Sequence, residues 1–162
     1  MGHVLNAMCA LALVPLMGCA TSATGGAQAT NAGCDASPEA SRRLVLAFYN
    51  EGLVGLNPRP AFQRYMATDF IEHKPDVPLG TREAAANFLE QLIASLPEGR
   101  WEVLRTIAER DMVFLHGRFT PARGAPAYAI ADVFRVRDCR IVEHWDVVAP
   151  PPAEQRNPNG RF

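Results

Sequence analysis

The sequence predicts an α+β domain in which helices come first and an antiparallel sheet then curves around them. Three observations carry this. Between residues 38 and 96 the apolar side chains recur at helical spacing. After residue 101 the period changes to two. The strands predicted there follow one another directly, with turn residues between them, which favours hairpins over crossovers.

Each element has a local reason. Ser37 is a helix cap, Pro38 suits the first helical position and Glu39 complements the first turn. Leu44, Leu46, Ala47, Phe48 and Leu53 are spaced for a buried face. Asn57-Pro58-Arg59-Pro60 ends this helix and opens a short one over 61–66. Residues 69–75 read as irregular, and a loop bearing proline and glycine runs on to Gly80. Thr81 starts a strong helix over 81–96, with Phe88, Leu89, Leu92 and Ile93 on its apolar side. Pro97-Glu98-Gly99 stops it. Strands are expected over 101–107, 112–120, 128–136 and 141–148. Pro150-Pro151-Pro152 ends the sheet, because proline cannot donate to a ladder. The polar tail, 153–162, is expected to lie along the surface.

A chain of 162 residues supports one domain. A net charge of −1, a pI near 6.4 and the lack of a basic stripe argue against a nucleic-acid binder. The first 34 residues contain no Lys, Arg, Asp or Glu. An apolar run over 4–17, broken by Asn6 and Pro15, is too short to span a membrane and suits a signal peptide. It ends in Leu16-Met17-Gly18-Cys19, which resembles a bacterial lipoprotein lipobox. That resemblance implies a signal peptide over 1–18, acylation of Cys19 and a periplasmic protein held at the cell envelope by lipid alone. A basic segment before the apolar run is missing, and a plain secretory signal is the alternative. Residues 19–37 are small and polar and read as a flexible tether to a domain over 38–162. In an oxidising compartment Cys34 and Cys139 either form one disulfide or stay separate thiols.

Residues 127–148 carry the chemistry. By alternation Tyr128, Ile130, Asp132, Phe134 and Val136 share one strand face, on which Asp132 is the only ionisable group. A carboxylate among aliphatic neighbours is costly unless something satisfies or uses it. Desolvation there favours the protonated form, a donor or a general acid/base. The next strand presents Glu143-His144-Trp145-Asp146, and its register is open. A two-residue turn at Asp138-Cys139 pairs Asp132 with Trp145; a three-residue loop with a bulge pairs it with His144. His116 shares a face with Met112, Phe114 and Arg118 but cannot be phased against Asp132. The histidine and aspartate spacings match no metal-ligand motif. No glycine-rich phosphate loop, serine elbow or nucleophilic cysteine is present, so no cofactor is expected.

The order of Phe70-Ile71-Glu72-His73-Lys74-Pro75, Gly80-Thr81-Arg82-Glu83, Ala131-Asp132-Val133-Phe134-Arg135-Val136 and Ile141-Val142-Glu143-His144-Trp145-Asp146-Val147, with the ending Asn157-Pro158-Asn159-Gly160-Arg161-Phe162, resembles the SnoaL-like family. These are polyketide-cyclase relatives within the nuclear transport factor two-like fold. The resemblance covers about residues 38–162 and implies a cone-shaped pocket between helices and the concave face of the sheet. It also implies glycine, as a bulge residue, where Cys139 stands, which favours the three-residue register. His144 and Asp146 then face the pocket beside Asp132, and Trp145 faces outward, where it would suit a homodimer interface. His73 stands where related isomerases carry a catalytic base, there an aspartate. Tyr49 stands where they project a hydroxyl.

Two functions follow as expectations. One is a cofactor-free cyclase or isomerase acting on a small apolar carbonyl compound, with Asp132 and His73 or His144 as acid/base pair and Tyr49, His116, Phe134, Trp145 and Asp146 contacting the substrate. The other is a non-catalytic cell-envelope lipoprotein that binds a small hydrophobic ligand.

Overall fold

A computed structural model describes residues 35–162. The expected signal peptide, the acylation of Cys19 and the Cys34 half of the expected disulfide lie outside the described residues. Cys139 is disulfide-bonded. Among the described residues no helix is long and apolar enough to cross a membrane.

Helix α1 (Pro38–Tyr49) starts as its cap dictates: Ser37 Oγ accepts from the Ala40 amide at 3.2 Å. Its buried face is Ser41, Val45, Phe48 and Tyr49, rotated from the expected stripe. Leu44 and Leu53 pack at the edge of the core instead. The helix continues through a π-helical turn (Asn50–Val54) before α2 (Pro58–Tyr65). Phe48 meets Phe62 edge-on at 5.3 Å and Phe134 at 6.1 Å. Such pairs contribute about 0.5–1.5 kcal/mol beyond burial alone. They join both helices to the sheet.

Strand β1 (Met66–Glu72) corrects the expectation of irregular chain over 69–75. Its inward residues include Met66, Phe70 and Glu72, all buried. The carboxylate interrupts the apolar alternation that would have revealed the strand. A 3-10 turn (Pro78–Gly80) follows. Gly80 has φ +59, and a Cβ there would lie 2.7 Å from the Glu72 carbonyl oxygen, so this close approach requires glycine. Helix α3 (Arg82–Ser95) is capped by Thr81, whose Oγ1 accepts from the Ala84 amide at 3.3 Å.

Strands β2 (Arg100–Glu109), β3 (Met112–Thr120), β4 (Tyr128–Arg137) and β5 (Arg140–Ala149) fall where the period of two placed them. With β1 they form one five-stranded sheet in the order β1-β5-β4-β3-β2. The fold class is α+β, with helices on the concave face. The sheet is mixed rather than wholly antiparallel, because β1 runs parallel to β5 and pairs Glu72 with His144.

Neither expected register of the β4–β5 hairpin is correct as drawn. Asp138 (φ 50) and Cys139 (φ 54) form a two-residue turn, the positive-φ type that matches strand twist. Val136 pairs with Ile141, but Arg135 pairs with Glu143. Val142 is therefore an extra residue, a β-bulge on β5. Beyond it Asp132 lies opposite Asp146, Val133 opposite Trp145 and Phe134 opposite His144. The partner of Asp132 differs from both expectations. The parity agrees with the bulged one, so His144 and Asp146 still turn inward.

After the proline run the tail returns to the sheet. Arg161 donates to the carbonyl oxygens of Ala127 and Ala149, each at 3.2 Å. Its neighbour Phe162 lies under the Arg118 guanidinium, 4.3 Å from the ring centre.

Candidate functional site

The helices and the concave face of the sheet enclose a cavity of about 410 Å³, within the range of small-molecule pockets. Most of its wall is apolar, including Phe48, Phe62, Phe88, Trp101 and Ile130. Eight polar or charged side chains interrupt it: Tyr49, Glu72, Lys74, Asp76, Tyr128, Asp132, His144 and Asp146. They come from α1, from β1 and the segment after it, and from β4 and β5.

His144 is the centre of the group. Its Nδ1 lies 2.9 Å from both Glu72 Oε1 and Oε2, and its Nε2 lies 3.3 Å from Asp132 Oδ1. Glu72 is 9% exposed and Asp132 5%. Two carboxylates on opposite ring nitrogens call for an N–H on each, which is the imidazolium. Burial opposes that charge, but the hydrogen bonds His144 donates to Asp132 and Glu72 outweigh it, and the His144 pKa is pushed up to about 10. The ring also stacks on Phe134 at 4.7 Å, which holds its plane.

Asp146 faces Asp132 across the β4–β5 ladder. Like charges directly opposed on one face are unfavourable. Each has its own cation: His144 for Asp132, and Lys74, whose Nζ lies 2.8 Å from Asp146 Oδ2. Burial works against the ammonium, yet its bond to Asp146 leaves the Lys74 pKa above the usual value. The Lys74 amide also donates to Glu72 Oε1 at 2.9 Å. One short segment thus supplies both an anion for His144 and a cation for Asp146.

Tyr49 is 1% exposed, and its hydroxyl is the one fully buried side-chain polar atom among the described residues without a hydrogen-bond partner. Burial first, and then the charges of Asp132 and Asp146, push its pKa well up, so it stays a neutral hydroxyl. Asp132 acts on the phenol both by its charge and as a nearby acceptor, although no hydrogen bond of strict geometry joins them. Gly117 on β3 makes room for it, since a Cβ there would lie 3.3 Å from the tyrosine oxygen.

The candidates from sequence divide on this geometry. Asp132, His144, Asp146, Tyr49 and Phe134 line the cavity. His73 does not, and its expected place in the acid/base pair is corrected. It is exposed on the other side of β1 and stacks on Trp145 at 4.5 Å, nearly parallel. Alternation from the inward Glu72 turns its neighbour out. Trp145 likewise lies outside the cavity, with Arg135 over its ring at 5.4 Å, so it contacts no ligand there. His116 is also outward, hydrogen-bonded through Nδ1 to Arg105 at 2.7 Å. It is corrected for the same reason, because its neighbours Leu115 and Gly117 are the buried ones. Glu72 and Lys74 are the residues that sequence reasoning missed. The inward Phe70-x-Glu72 spacing was their one local signal.

A cone of helices on a curved sheet, with a polar group at the wall of an apolar cavity, defines the class of small nuclear transport factor two-like domains. The SnoaL-like domain pattern matches residues 45–144, and the chain belongs to that family. Solved structures agree in fold. A provisionally named SnoaL-like polyketide cyclase from Jannaschia sp. CCS1 superposes with a TM-score of 0.58 at 22% identity, covering 72% of this chain and 91% of that one. A nuclear transport factor two-like protein of unknown function from Mesorhizobium loti gives 0.57 at 22% identity, over 71% and 95%. A provisionally named ketosteroid isomerase from Kribbella flavida gives 0.57 at 20%, over 76% and 86%. No curated protein matches in sequence.

Proposed function

We propose that this domain binds a small apolar carbonyl compound in the cavity and acts on it by cofactor-free acid/base chemistry, as in aldol-type cyclisation or double-bond isomerisation. The observation that carries this is the buried Glu72–His144–Asp132 chain opening on an apolar cavity. His144 engages Oδ1 of Asp132, which leaves Oδ2 to take a proton from the carbon beside a carbonyl. The developing oxyanion accepts from the Tyr49 hydroxyl, which is buried beside Asp132 and has no partner of strict hydrogen-bond geometry. Asp132 then returns the proton to the acceptor carbon, or to the oxygen formed on ring closure. His144 holds the carboxylate in place throughout, and Glu72 holds His144. The test is proton exchange at carbonyl-adjacent carbons in deuterated buffer, read by NMR over a panel of apolar ketones. Exchange should fall by about 10²–10⁴-fold in Asp132→Asn, the range for loss of an acid/base group. Unchanged exchange in that variant removes Asp132 from the role.

The second reading is a non-catalytic cell-envelope lipoprotein that binds a small ligand. It is favoured by the lipobox-like Leu16-Met17-Gly18-Cys19 and by the polar stretch that follows. It predicts a ligand that co-purifies and is recovered unchanged, identified by mass spectrometry of the isolated protein. On either reading the export signal, the lipid on Cys19 and the tether belong to the proposal. So does homodimerisation through the outer sheet face, where Ile71, Ile107, Phe114 and Val147 are 37–68% exposed.

A further inference from the structure

The cavity wall is richer in acceptors than any neutral ketone needs. Asp132 and Asp146 are directly opposed across β4 and β5, and each has one oxygen outside its cation bond: His144 engages Oδ1 of Asp132, and Lys74 engages Oδ2 of Asp146. The third acceptor is the Tyr49 hydroxyl oxygen, buried beside Asp132 with no hydrogen bond of strict geometry. With Glu72 and the two cations His144 and Lys74, the buried group carries one net negative charge. Aromatic side chains line the same cavity, among them Phe48, Phe88, Trp101 and Tyr128, and aromatic rings can favour a cation.

We infer that the space between Asp132, Asp146 and Tyr49 is a subsite for a protonated amine on an apolar skeleton. An ammonium has three N–H donors, one for each of the three acceptors. Its charge neutralises the buried excess, and its skeleton fills the aromatic part of the cavity. A carboxylate head group would add a second uncompensated negative charge and is rejected. The inference rests on the pocket reading but not on turnover. A pure binding protein would retain such an amine, and an enzyme of the proposed kind would be inhibited by it, because it occupies Asp132.

The test is calorimetric titration of the full-chain protein at pH 7 with three compounds of one skeleton: 4-phenylbutylamine, 4-phenylbutanol and 4-phenylbutyrate. The amine is expected to bind at least about tenfold more tightly than the alcohol, which corresponds to about 1.4 kcal/mol, and the carboxylate more weakly than either. Asp146→Asn should reduce the amine's advantage over the alcohol severalfold. The comparison on the unaltered protein needs no variant, so a folding defect in Asp146→Asn cannot leave the question open. Equal affinities, or tightest binding by the carboxylate, overturn the amine subsite and leave the pocket reading standing. Failure of all three to bind overturns both.

Discussion

His144 joins Glu72 on β1 to Asp132 on β4, and it can do so only as a cation, because both neighbours are acceptors. The charge state of one ring is therefore the most direct test of the site. Ring-proton NMR should show His144 still protonated well above pH 8, in line with a pKa near 10. In Glu72→Gln one of the two supporting charges is gone, and the His144 pKa should fall by roughly 1–3 units, the usual effect of one adjacent opposite charge. An unchanged titration in that variant would mean that Glu72 does not support the imidazolium. Asp132 was visible in sequence because it is the only carboxylate on its strand face. Glu72 was not, because its one local signal, the Phe70-x-Glu72 spacing, does not separate an inward glutamate from a loop glutamate beside His73.

At the scale of elements, four of the seven positive-φ residues among those described flank the β1–β5 pairing. Leu79, Gly80, Asp138 and Cys139 all have positive φ. The first two lie in the turn after β1 and the last two in the turn before β5, on either side of the β1–β5 pairing. Leu79 is the odd member: φ is 64, yet its side chain is 92% exposed. Left-handed backbone costs a non-glycine residue roughly 1–2 kcal/mol, and asparagine tolerates it better. Leu79→Asn should therefore leave stability unchanged or raise it by up to about 1 kcal/mol, measured by urea unfolding. A loss of more than that would show that the exposed leucine packs against something. The bulge at Val142 has a larger consequence. Ile141 is buried, so strict alternation from it would have turned Glu143 and Trp145 inward. One extra residue reverses the rest of β5 and places His144 and Asp146 in the cavity.

For the whole molecule the buried imidazolium links folding to pH. His144 has a folded pKa of about 10 against an ordinary value of 6.5. A raised histidine pKa adds stability that is fully present below the unfolded value and is lost as pH rises through the folded one. The midpoint of thermal unfolding should thus decline between about pH 6.5 and pH 10. In His144→Gln that part of the decline should disappear. The outer sheet face sets the second molecular property. Ile107 and Val147 are 66% and 68% exposed, and apolar patches of this kind mark contact surfaces. With homodimerisation as proposed, the protein should sediment as a dimer, and Val147→Lys should shift it towards monomer. A wild-type monomer at tens of micromolar would rule that interface out.

Local sequence determined the helix caps at Ser37 and Thr81, the four consecutive strands after residue 100, and the inward face of β4 with Asp132 on it. These depend on neighbours within a few positions, through capping, periodicity and turn chemistry. What only the tertiary structure decided was non-local. Glu72 meets His144 across 72 positions of chain, brought there by a parallel pairing that no hairpin signal announces. Lys74 reaches Asp146 over the same separation. Strand parity after a bulge is likewise invisible to alternation, because a single unpaired residue exchanges the two faces without changing the composition of either. The sequence therefore identified the carboxylate at the centre of the site, while the acid that completes its relay and the face of β5 that enters the cavity were set by the assembly of the sheet.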